Sequence, residues 1–193
     1  MLDLKRLRDT GCAVADMTML GSRWPALLGP APLALALLVQ VAMMLGSAAL
    51  VPPSDATSPY LIADTDFTTR LLLQVVDFAA VVVFIIIYAA FRGRQKANTL
   101  LVGLIYIGIP LGVLMSVLFG AEIALTQAGL ADTLLYPLQF AIGVISLVLV
   151  AGVFRSALQM RAGRSLFMAF LLMVLMLLAD GGVQLLLAGQ IKV

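Results

Sequence analysis

Residues Leu71–Gly120 read LLLQVVDFAAVVVFIIIYAAFRGRQKANTLLVGLIYIGIPLGVLMSVLFG, two apolar runs joined by a short basic turn. At about 1.5 Å of rise per residue, the helix from Leu71 to Phe91 is about 31 Å long, close to the hydrocarbon thickness of a bilayer. A buried helix of a soluble protein has no need of that length. The turn carries Arg92, Arg94 and Lys96 and no acidic residue. Short basic loops are retained on the cytoplasmic side, so the first run descends to the cytosol and the second leaves it.

In the second run Gly108, Gly112, Ser116, Gly120 and Ala124 recur every four residues, a stripe of small side chains along one helix face. Such a stripe lets two backbones approach closely, either in a tight crossing inside one subunit or in a homodimer seam. Pro110 lies in the same run, has no N–H to donate and opposes the carbonyl of Tyr106, which predicts a kink between the two.

Composition extends this reading to the whole chain. Of 193 residues, 63% are hydrophobic and 11% charged, and the mean hydropathy is +1.12, far beyond the apolar share of soluble domains. The net charge of +2 is sorted by side rather than pooled, so no nucleic-acid partner is expected. Cys12 is the only cysteine and there is no histidine. That excludes an intrachain disulfide, a thiolate metal cage and His-based catalysis. No nucleophile motif, metalloprotease motif, glycine-rich phosphate loop or acidic metal-binding motif is present, so neither an enzymatic activity nor a cofactor is expected.

Two regions follow. Residues 1–24 mix Lys5, Arg6, Arg8 and Arg23 with Asp3, Asp9, Asp16 and scattered apolar residues. They read equally as an irregular interfacial helix or as a partly ordered cytoplasmic tail. Residues 25–193 read as a single transmembrane domain of five helices. The first span covers about Ala31–Val51, approached through Trp24, a residue suited to the interface. Its apolar run is longer than that of a usual cleavable signal. An acidic outer connection follows at Pro52–Thr69, then the hairpin. A second outer connection holds Glu122, Thr126 and Asp132. The fourth span is Leu134–Val153, with Pro137 in its first turn, and the fifth is Ser165–Ala188. Ten basic residues, Lys5, Arg6, Arg8, Arg23, Arg92, Arg94, Lys96, Arg155, Arg161 and Arg164, fall on the inner side, leaving Arg70 and Lys192 outside. This sorting predicts an all-α, polytopic membrane protein, amino terminus inside and carboxyl terminus outside, and the bias to Ala, Leu and Gly resembles that of bacterial inner-membrane proteins. Phe91-Arg92 and Phe154-Arg155 occupy matching places in two hairpins, a hint of a parallel repeat.

The candidate site is polar and lies in the outer half of the spans. Arg70, Gln74 and Asp77 share one helix face at i, i+4 and i+7, so Arg70 is placed to neutralise Asp77 from the interface. Gln40, Gln139, Asp180 and Gln184 lie at similar depth. An aspartate near the centre of a membrane helix costs about 2.5–3.5 kcal/mol on insertion scales and needs a partner. The cluster reads as interhelical hydrogen bonding, or as an outward-open pocket in which Asp77 and Asp180 hold a proton, a cation or a polar headgroup.

Two segments carry a family likeness. GRQKANTLLVGLIYIGIPLGVLM, from Gly93, resembles the basic turn and the aromatic-then-proline span of Yip-domain proteins, here with Tyr106 and Pro110. FRSALQMRAGRSLFMAFLLMVLMLL, from Phe154, is similar to that family's turn into its last span, and Arg23-Trp24-Pro25 fits its bacterial members. The resemblance implies a five-span, non-enzymatic membrane protein, and it alone brings in a Rab-type GTPase as partner. Beyond it, the expected partners are membrane lipids and either a second copy or another membrane protein. The expected function is helix-mediated association or membrane organisation, with a small permease or ion-coupled carrier built on Asp77 and Asp180 as the alternative.

Overall fold

A computed structural model describes residues 4–28, 33–50, 67–92 and 94–190. Every regular element among them is a helix: α1 (Leu4–Thr18), α2 (Trp24–Leu28), α3 (Leu33–Leu50), α4 (Phe67–Arg92), α5 (Arg94–Gln127), α6 (Ala131–Leu158) and α7 (Ala162–Gln190). Four segments are long and apolar enough to cross a membrane: Phe67–Ala90, Lys96–Leu118, Thr133–Leu158 and Ala162–Val183. The chain is a multi-pass membrane protein. The expected first span is the shorter helix α3, whose apolar part is Leu33–Gly46. Most of the acidic connection, residues 51–66, lies outside the described residues.

The four long helices close a ring in chain order: α4 packs on α5, α5 on α6, α6 on α7, and α7 back on α4. Helix α3 packs against α4 and α5, while α1 contacts α5 and α6. The core is concentrated at one end of this ring. Leu100, Ile105 and Ile107 of α5 and Val153 and Phe154 of α6 are fully buried there, together with Met17 and Trp24 from the amino-terminal helices. Phe84 of α4 meets Phe154 edge to face, with centroids 5.8 Å apart and planes at 82°. Towards the opposite end the outward faces are apolar and open, as at Val117, Phe140 and Leu177, which is the surface a lipid-embedded bundle presents.

Three boundaries differ from the sequence reading. The basic turn contracts: α4 continues to Arg92 and α5 resumes at Arg94, because Arg, Gln, Lys and Ala are good helix formers and extend a helix readily. Glu122 and Thr126 belong to α5 rather than to an outer connection. The first strong breaker after Pro110 in an exposed stretch is Gly129, at φ 71°, and the N–H of Leu130 closes the helix on the carbonyl of Leu125 at 2.9 Å, a Schellman ending. Pro137 lies in the second turn of α6, not the first, since that helix begins at Ala131. Helix α5 itself runs without a break through Pro110.

Residues 1–24 were open between an interfacial helix and a tail. The described part is ordered and docked on the bundle. Helix α1 buries Ala13 and Met17 and ends in its own Schellman turn, with Leu20 at φ 57° and the N–H of Gly21 donating to the carbonyl of Asp16 at 2.7 Å.

Candidate functional site

Two of the predicted polar residues come together. Asp77 of α4 and Asp180 of α7 stand on neighbouring helices, close enough for their carboxyl groups to interact electrostatically. Each keeps its Oδ1 buried without a hydrogen-bond partner among the described residues. Two carboxyl groups with open lone pairs form an acceptor set for a proton or a small cation. Among the described residues no group of three or more His, Cys, Asp or Glu gathers as a metal cage.

The remaining members of the cluster divide. Arg70 and Gln74 share the α4 face with Asp77, are half-buried and have interactions of their own. Arg70 stands two helical turns from Asp77, about 10 Å along the axis, and Oδ1 of Asp77 has no hydrogen-bond partner among the described residues. Gln139 is exposed on α6 and takes no part in the buried pair. The side chain of Gln184 lies outside the described residues.

The stripe on α5 behaves differently along its length. A Cβ added at Gly108 would meet Met43 of α3 at 3.5 Å, an ordinary contact, so this upper part packs inside the chain. At Gly112 and Gly120 a Cβ would meet nothing within 4 Å among the described residues. Ser116 is exposed between them and its hydroxyl donates to the carbonyl of Gly112 at 2.9 Å. Val113, Met115 and Val117 beside them are more than half exposed. Among the described residues the stripe therefore meets α3 at Gly108 and is open at Gly112, Ser116 and Gly120.

Close backbone approach occurs instead at Gly103, which the sequence did not single out. A Cβ there would lie 2.5 Å from Cη2 of Trp24 and 2.9 Å from Cγ1 of Val153. Trp24 is wholly buried against α5 and α6, and its Nε1 has no hydrogen-bond partner among the described residues. It is held by Asp16, whose Oδ2 accepts the N–H groups of Arg23 at 2.8 Å and Trp24 at 2.9 Å. Ser156 of α6 ties the same corner down by donating to the carbonyl of Gly21 at 3.2 Å and to that of Gly152 at 2.9 Å. The one sequence signal for this anchor was Asp16, seven residues before Arg23 in the mixed amino-terminal segment.

Compared with protein-family models, with curated proteins and with solved structures, the chain matches none.

Proposed function

We propose that this chain is a non-enzymatic, Yip-type protein of the bacterial inner membrane that acts through helix-mediated association. It crosses the bilayer five times, with its amino terminus and basic turns in the cytosol. Helix α3, 18 residues long, spans about 27 Å at the usual helical rise and serves as the fifth crossing with little mismatch. The observation that carries the reading is the open lower part of the α5 stripe, where Gly112, Ser116 and Gly120 offer a lipid-facing groove that a second helix can enter. The amino-terminal helices pack on α5 and α6.

The test is Gly112→Leu in nanodiscs, with stoichiometry read by single-molecule photobleaching. Wild type is expected to pair with a second copy or to co-purify with another membrane protein. The variant should do neither, yet keep its thermal midpoint. A wild-type protein that is monomeric and partnerless overturns the reading, and a cytosolic tag after Val193 overturns the topology.

A second reading, an ion- or proton-coupled carrier, draws on the Asp77–Asp180 pair and its unsatisfied Oδ1 atoms. Its test is cation-dependent thermal stabilisation and flux in proteoliposomes. Both should be present in wild type and absent in Asp77→Asn, and wild-type vesicles showing neither would end it.

A further inference from the structure

The outer polar pair and the α5 stripe leave one built feature of the fold unused. Between α6, the start of α7 and the α1–α2 corner lies a groove of about 690 Å³, a size that accommodates a small ligand or a headgroup. Arg155 lines it, exposed, and no carboxylate pairs with Arg155 among the described residues. Ser22, Ser156 and Gln159 add hydroxyl and amide groups, and Ala162, the first residue of α7, brings the positive end of that helix to the rim. No acidic side chain lines the groove among the described residues.

We propose that this groove binds the phosphate-bearing headgroup of an anionic phospholipid, with Arg155 as its principal cation. The guanidinium forks onto phosphate oxygens, and the Ser22 hydroxyl, the Gln159 amide and the α7 amino terminus complete the donor set. The same chemistry would recognise free phosphate. The lipid is favoured because the groove continues into apolar wall: Val148 and Leu166 line it, are exposed, and belong to membrane-spanning segments. An acyl chain can lie along that wall, whereas a water-borne anion gains nothing from it. Arg161 and Arg164 are exposed close by in sequence and supply long-range attraction to an anionic leaflet without lining the groove. The inference rests on the membrane placement proposed above and is independent of helix-mediated association.

The full chain is reconstituted in phosphatidylcholine nanodiscs, and retained phosphatidylglycerol is counted by native mass spectrometry across a titration. Wild type should retain phosphatidylglycerol selectively. Arg155→Gln should weaken retention about fivefold, the factor expected for one interfacial cation, with Arg155→Lys between the two. Circular dichroism should be unchanged, because the Arg155 contacts that end α6 are made by its backbone carbonyl. Arg161→Gln/Arg164→Gln should retain most of the selectivity. Equal loss in that double variant overturns the proposal in favour of diffuse charge. Complete displacement of the lipid by millimolar inorganic phosphate overturns it in favour of a soluble anion. Failure to enter nanodiscs at all condemns the membrane placement, while entry without lipid preference condemns the groove alone.

Discussion

The backbone N–H of Trp24 donates to Oδ2 of Asp16 at 2.9 Å, so one carboxylate fixes both the exit from α1 and the entry to α2. The same oxygen accepts the N–H of Arg23 at 2.8 Å, and the carboxylate lies so close over Gly21 that no side chain fits there. Trp24 is thereby delivered into the α5–α6 cleft with its direction already set.

Asp16→Ala removes the acceptor of two N–H groups that begin a helix and is expected to cost about 1–2 kcal/mol. Asp16→Asn keeps a carbonyl oxygen in place and should cost less. Thermal unfolding in mild detergent gives the ranking, with wild type highest and the alanine variant lowest.

Gly103→Ala places a methyl group where the indole already sits, and overpacking of this kind costs about 1–3 kcal/mol. Trp24 is the only tryptophan of the chain, so intrinsic emission reports on this site alone. Wild type should emit at short wavelength and resist aqueous quenchers. The variant should emit further to the red and be quenched more readily.

Asp77→Asn and Asp180→Asn each remove one member of an interacting carboxyl pair. In a double-mutant cycle the two effects should fail to add by more than about 0.5 kcal/mol, the level above which two sites are coupled. Additive effects on the unfolding midpoint would mean that the two groups do not communicate.

Gln159→Gly should stabilise the protein. Gln159 holds a left-handed backbone, φ 53° and ψ 41°, at the end of α6, a conformation that costs a residue with a Cβ about 1–2 kcal/mol and glycine almost nothing. A rise of several degrees in the thermal midpoint is expected, and a fall would show that the amide side chain carries a compensating contact.

The four long apolar segments were legible because their signal is length and hydropathy, quantities that tertiary packing does not override. Their ends were not. Basic residues mark a membrane boundary but are also good helix formers, so α5 starts within the supposed turn at Arg94. The Asp77 and Asp180 positions could be placed at similar depth by counting residues, yet only the ring closure sets their helices, α4 and α7, against each other. The burial of Trp24 was not legible for a chemical reason: indole suits an interface as well as a core, and composition cannot distinguish the two. What decides is Gly103, about 80 residues away in the chain and silent until the helices are assembled.

The contact between Ser156 and Gly21 spans 135 residues, which orders events during synthesis. Helices α1 and α2 leave the ribosome long before the cleft that receives them exists, since its walls are the early part of α5 and the late part of α6. Until translation passes Ser156 the indole has no seat, and the nascent amino-terminal segment must be tolerated by the insertion machinery as an unsatisfied amphipathic arm. Seating Trp24 is therefore a late checkpoint of biogenesis, and a chain arrested before α6 should carry that residue within reach of chaperones or the lipid surface.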